Sequence, residues 1–187
     1  MRALATSALA AIVLATAASA AAPPRNDGTC WPTLHGDLQR SGFYPRWPAD
    51  SLKLVWRKEL WRELTGPRAE VIVGNGLAFM GTYAGKMYAW NAETGEEKWV
   101  VQTGGPIGHS PALDGGVLYF GSMDRKLYAV SAAHGKARWT FEAGVGIWTS
   151  PAVWAGLVMF GARDGIFYAL RAAEGTVAWT CRTDAPM

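Results

Sequence analysis

Charge is scarce in this chain of 187 residues: Asp, Glu, Lys and Arg make up 18% of it, and the net charge is +3. Its basic residues are scattered rather than clustered, which excludes the positive footprint of a nucleic-acid binder. Histidine is scarcer still, with three residues, and His35, His109 and His134 have no second ligand at a metal-like spacing. A nucleophile–histidine–carboxylate arrangement, a G-x-S-x-G elbow and a phosphate-cradling loop are all missing. The sequence therefore offers no catalytic residue and no metal ligand set, and the expectation is a protein that is not an enzyme. Long apolar runs are limited to one, from Leu4 to Ala18. It follows Arg2, is short for a membrane span, and ends in the small-x-small site Ala18-Ser19-Ala20. Residues 1–20 read as a secretory signal, cleaved near Ala20 to Ala22, leaving a mature chain with no transmembrane segment in the periplasm or outside the cell.

What is abundant is glycine, with 22 residues, and tryptophan, with 10. Their placement is periodic. Gly81, Gly121 and Gly161 are 40 apart, and so are Tyr88, Tyr128 and Tyr168. Gly95, Gly135 and Gly175 keep the same interval, as do Trp99, Trp139 and Trp179. Ser110-Pro111-Ala112 recurs as Ser150-Pro151-Ala152. A fixed period of about 40 residues with a tryptophan and glycines in each unit is the signature of a propeller or related repeat array.

Each unit parses into four short strands, in the second unit over residues 110–113, 117–121, 126–131 and 137–142. The separators Asp114-Gly115-Gly116, Met123-Asp124-Arg125 and Ala133-His134-Gly135 are turn formers. Four strands per unit is a propeller blade. The fold class is all-β: an incomplete ring of about three blades, near 70–103, 110–143 and 150–183. An extended arm over 21–50 precedes the repeat region, 51–187. Residues 52–60 form a further expected strand, whose Trp56 aligns with Trp99, Trp139 and Trp179. The repeat glycines serve a close approach at Gly81, Gly121 and Gly161, and a positive φ at Gly95, Gly135 and Gly175. The repeat tryptophans fill the space between blades. Cys181 shares its repeat position with Val101 and Phe141, so it is expected as core filler rather than as a bridge partner of Cys30.

In a propeller, the loops between second and third strands share a face with the links between blades. That face carries Tyr83, His109, Asp124, Arg125, Trp148 and Arg163, a candidate surface for a ligand, peptide or protein partner. For each of these the structural reading is the stronger: Asp124-Arg125 and Asp164-Gly165 sit where hairpins need turn residues, and Trp148 suits a cover over a blade junction.

The segment from Ala89 to Trp99, Ala-Trp-Asn-Ala-Glu-Thr-Gly-Glu-Glu-Lys-Trp, resembles the tryptophan-docking repeat of pyrroloquinoline-quinone-type propellers. Residues 129–139 and 169–179 keep its alanine, glycine and tryptophan, and Trp31 to Gly42 is similar to the opening segment of secreted members. The resemblance is closer to non-catalytic members, including the propeller subunit of the outer-membrane β-barrel assembly machinery, than to quinoprotein dehydrogenases. It implies a binding or scaffolding role with a protein or peptide partner and no cofactor. The adjacent-cysteine ring of the dehydrogenases has no counterpart here, and neither does the lipidation cysteine of the assembly subunit. The alternative it implies is part of a dehydrogenase using pyrroloquinoline quinone and calcium, with the catalytic residues in further blades. A ring of three blades is not closed. Either the chain is a piece of a longer propeller, or identical chains associate to complete the ring.

Overall fold

Short apolar strands punctuated by glycine turns pair with their immediate neighbours in sequence, and each 40-residue unit becomes one antiparallel sheet. The computed structural model describes residues 53–66 and 68–183, and every regular element among them is a strand. None of them is therefore a helix long and apolar enough to cross a membrane. Blade 1 consists of β1 (Ile72–Gly74), β2 (Leu77–Gly81), β3 (Lys86–Asn91) and β4 (Glu97–Gln102). Blade 2 consists of β5 (Ala112–Asp114), β6 (Val117–Gly121), β7 (Lys126–Ser131) and β8 (Ala137–Glu142), and blade 3 of β9 (Ala152–Trp154), β10 (Leu157–Gly161), β11 (Ile166–Arg171) and β12 (Val177–Arg182). In all three the strands lie in sequence order, and the register between third and fourth strands shifts by a bulge at Ala89/Trp90, Ala129/Val130 and Ala169/Leu170. The sheets form an incomplete propeller and do not close into a ring.

The core lies between blades rather than within one. Successive residues of a strand face opposite sides, so a central strand sandwiched by neighbours reads apolar throughout. All five residues of β6 are buried for this reason. Leu118 and Phe120 pack towards blade 1 with Phe79, Met87 and Ile107. Val117 and Tyr119 pack towards blade 3 with Val158, Phe160 and Leu170. The close approach expected at the end of the second strands is present. A Cβ on Gly81 would stand 2.4 Å from Ile107 Cγ2, and one on Gly121 would stand 2.3 Å from Ile147 Cγ2.

Three expectations need correction. Residues 53–60 form no strand: among the described residues nothing beside them offers a ladder, and a lone strand is not stable in water. They run instead as a strap over the upstream face of blade 1. The first strand of blade 2 begins at Ala112, because Ser110 and Pro111 belong to the link between blades. Cys181 is exposed with a free thiol rather than buried, because among the described residues no sheet covers the downstream face of blade 3. The signal segment, the arm over 21–50, Leu52 and Cys30 lie outside the described residues.

Candidate functional site

The array has two ends. At one, the turns between first and second strands meet those between third and fourth, as in the hydrogen bonds from Ala92, Ala132 and Ala172 N–H to the carbonyls of Gly76, Gly116 and Gly156. At the other, the loops between second and third strands meet the links between blades: Ile107 N–H donates to Thr82 O, and Met123 N–H to Pro106 O. The six candidate residues sit at this linker end.

Three of them come together. Trp148, in the link between blades 2 and 3, reaches back across blade 2 to stand 5.7 Å from the Tyr83 ring of blade 1. The His109 imidazole meets it edge-on at 5.4 Å. Two glycines make room: a Cβ on Gly108 would stand 2.4 Å from the Trp148 ring, and one on Gly66 would stand 2.6 Å from the Tyr83 ring. Residues 68, 108 and 148 are equivalent positions, so Arg68, Gly108 and Trp148 occupy one place in three successive links. His109 Nε2 is enclosed with no hydrogen-bond partner among the described residues. Burial, reinforced by the Arg68 charge, pushes this imidazole below its ordinary range and favours the neutral form.

The other three candidates do not join this cluster. Asp124 holds its own turn: its Oδ2 accepts from Gly104 N–H at 2.8 Å and from the Tyr128 hydroxyl at 2.6 Å, and its Oδ1 accepts from Lys126 N–H at 3.0 Å. Burial, with the Asp124 carboxylate second, pushes the Tyr128 hydroxyl far above its ordinary range. Asp164 repeats the arrangement with Ile166 N–H and Tyr168. Arg125 pairs with Glu142 at 2.9 Å on the surface, and Arg163 is exposed.

Sequence reasoning aligned Trp56 of the strap with the repeat tryptophans but gave the strap no part in a site. Glu63 Oε1 accepts from Lys86 Nζ at 2.6 Å, and the ammonium holds the carboxyl below the usual carboxylate range. An open cavity of about 360 Å³ separates the strap from blade 1, lined in part by Trp61, Glu63, Tyr88 and Trp90. The strap lacks the period's glycine and tyrosine marks, so only Trp56 betrays its place in the pattern.

Known proteins share this architecture. The structure is similar to that of BamB from Moraxella catarrhalis, with 27% identity and a TM-score of 0.52 over 57% of this chain and 33% of that one. It is similar in fold to the quinohemoprotein alcohol dehydrogenase of Comamonas testosteroni, with 22% identity and a TM-score of 0.74 over 84% of this chain and 28% of that one. The alcohol dehydrogenase ADHIIG of Pseudomonas putida HK5 gives 20% identity and a TM-score of 0.70, over 84% and 27% of the two chains. The chain thus spans about a third or less of each of these proteins. No curated protein matches. Among the described residues no three His, Cys, Asp or Glu side chains gather around one point, and Asp124 and Asp164 are committed to their turns. The profile of the family described as "Outer membrane protein assembly factor BamB" matches residues 49–179, more than half of the sequence. With three four-stranded blades, each carrying the repeat glycine and tryptophan, the chain belongs to this family of pyrroloquinoline-quinone-like repeat propellers.

Proposed function

We propose that this chain is a non-catalytic binding or scaffolding propeller that works outside the cytoplasm, in the periplasm or secreted, and takes a protein or peptide partner at its linker end. One observation carries the reading: Trp148, Tyr83 and His109 converge there from three separate loops into a packed aromatic surface. Aromatic side chains held in one rotamer are the usual anchors of protein interfaces. Exposed Arg125 and Arg163 on loops of the same end supply polar rim contacts. The family match supports an extracytoplasmic role in protein assembly.

The second reading, part of a quinoprotein dehydrogenase, is favoured by the fold likeness over 84% of the chain. Two experiments separate them. A photoreactive residue placed at Arg163 yields a cross-linked protein in the cell envelope, whereas one placed at exposed Asp114, on the opposite end, yields none. Adducts from Asp114 alone, or from neither position, overturn the linker-end assignment. Turnover of an alcohol after addition of pyrroloquinoline quinone, calcium and an artificial electron acceptor would replace the binding reading with the enzymatic one.

A further inference from the structure

The turn between first and second strands is the same two-residue loop in every blade, with one chemical difference. Gly74 pairs with Leu77, Asp114 with Val117 and Trp154 with Leu157, so the loops are Asn75-Gly76, Gly115-Gly116 and Ala155-Gly156. All of these residues have positive φ, as a type I′ turn requires. Asn75 alone among them carries a carboxamide. It is exposed, and nothing stands within 4 Å of the place where Gly76 would carry a Cβ. Neither the Asn75 side chain nor the Gly76 N–H makes a hydrogen bond among the described residues. Asn91 is the opposite case. Its Oδ1 accepts from Glu93 N–H at 2.9 Å and from Thr94 N–H at 2.8 Å, and the N–H of the residue after it, Ala92, is committed to Gly76 O.

A free main-chain nitrogen following asparagine, with no side chain of its own to crowd it, is placed to attack the carboxamide carbon. The Gly76 nitrogen bonds to Asn75 Cγ and closes a succinimide, the Cγ–Nδ2 bond breaks, and the proton from Gly76 N leaves with Nδ2 as ammonia. Water then opens the ring. Its oxygen adds at Cγ to give aspartate, or at the main-chain carbonyl carbon to give isoaspartate. No electrons are gained or lost. We propose that Asn75 is a site of spontaneous deamidation, and that the isoaspartate formed there unseats the strap from blade 1.

The loop reaches the strap through a short chain of hydrogen bonds. Gly76 O accepts from Ala92 N–H at 2.9 Å, and Ala92 O accepts from the Trp56 indole N–H at 2.9 Å. Each junction between blades seats a tryptophan in this way: Trp99 donates to Ala132 O over Gly135, and Trp139 to Ala172 O over Gly175, behind Gly116 and Gly156. The seats have no slack, since a Cβ on Gly95 would stand 2.7 Å from the Trp56 ring. Isoaspartate adds a methylene to the main chain inside a loop of only two residues. Gly76 then cannot keep both the pairing of Gly74 with Leu77 and its own bond to Ala92, and Trp56 loses its fixed acceptor. The loop lies on the end of the array opposite the linker end, so the inference is independent of the partner proposed there.

Incubating the purified chain at mildly alkaline pH, with peptide mass spectrometry and nuclear magnetic resonance at intervals, tests both steps. Residue 75 gains the mass of an NH2-to-OH exchange while Asn91 stays intact, and its peptide splits into two products of equal mass. In the aged protein the Trp56 indole proton exchanges with solvent about tenfold faster than in fresh protein, whereas those of Trp99 and Trp139 keep their rates. Asn75→Gly copies the loop of blade 2, abolishes the reaction and keeps Trp56 protected through the same incubation. Asn75→Asp brings the charge without the longer backbone, and when freshly prepared it also keeps Trp56 protected. An Asn75 that holds its amide as long as Asn91 overturns the proposal. So does a Trp56 proton that exchanges at its original rate after conversion to isoaspartate, or one that is released equally in Asn75→Gly or in fresh Asn75→Asp.

Discussion

Trp139 and Trp179 occupy the same repeat position, yet their replacement by alanine should differ sharply in cost. Trp139 packs between blades 2 and 3 against the Gly175 turn and Tyr119, and its indole N–H donates to Ala172 O. Truncating a buried tryptophan costs about 3–5 kcal/mol, the partly buried Trp139 falls towards the lower end of that range, and within it the lost hydrogen bond accounts for about 1 kcal/mol. Trp179 is 44% exposed, has one ring neighbour and donates to no carbonyl seat, so its truncation costs about 1 kcal/mol. The difference is about 2–4 kcal/mol, which lowers the melting temperature of Trp139→Ala relative to Trp179→Ala by about 10 °C in a chain of this size. Thermal and urea unfolding followed by circular dichroism measure it. Two variants melting within error of one another, or Trp179→Ala melting lower, would refute the idea that the downstream turn is what makes the tryptophan stabilising.

A second comparison isolates the turn itself. Gly135 and Gly116 have φ of 67° and 76°, but only at Gly135 would a Cβ meet a ring, 2.8 Å from Trp99. Both alanine variants bear about 1 kcal/mol of backbone strain, and Gly135→Ala should unfold at a distinctly lower urea concentration because Trp99 must also move. At high pH, Tyr128 favours the neutral form in the folded state, so its contribution is complete below the ordinary tyrosine range and is lost as pH rises beyond it. Ultraviolet absorbance should find at least one tyrosine ionising only as the fold is lost, and ionisation of all six before unfolding would contradict the Asp124–Tyr128 pairing. At low pH the sign reverses. His109 has its folded pKa depressed, so its contribution is present above the unfolded value and lost as pH falls. A nuclear magnetic resonance titration should place the His109 midpoint below the ordinary histidine range, and protonation should alter Trp148 fluorescence through the ring contact at 5.4 Å.

Much of the fold was legible because the repeat reports what the backbone requires. The spans 117–121, 126–131 and 137–142 coincide with β6, β7 and β8, because glycine and aspartate turns bound them on both sides. The functions of Gly81 and Gly95 followed from the need for close approach and for positive φ, and both are seen. What escaped lies in contacts between units. The seating of Trp99 on Gly135 joins residues 36 positions apart and leaves no mark on local pattern. The Tyr83–Trp148 contact crosses an entire blade, and only the glycine at position 108, where the next link has tryptophan, hints at it. For Asp124 the sequence favours a turn residue over a ligand contact, and its carboxylate accepts three hydrogen bonds that hold its own turn.

The tryptophan junction also gives the array a direction in time. Every blade presents its indole downstream and its seat upstream, so a repeat emerging from the ribosome or a translocation pore brings the seat for the tryptophan made just before it. Each unit is completed only by its successor, and the most recent unit always waits with one aromatic ring in solvent. In a chain made from its amino terminus, each of these tryptophans therefore exists before the turn that seats it. A pause between any two repeats would leave a single defined sticky end rather than a disordered tail.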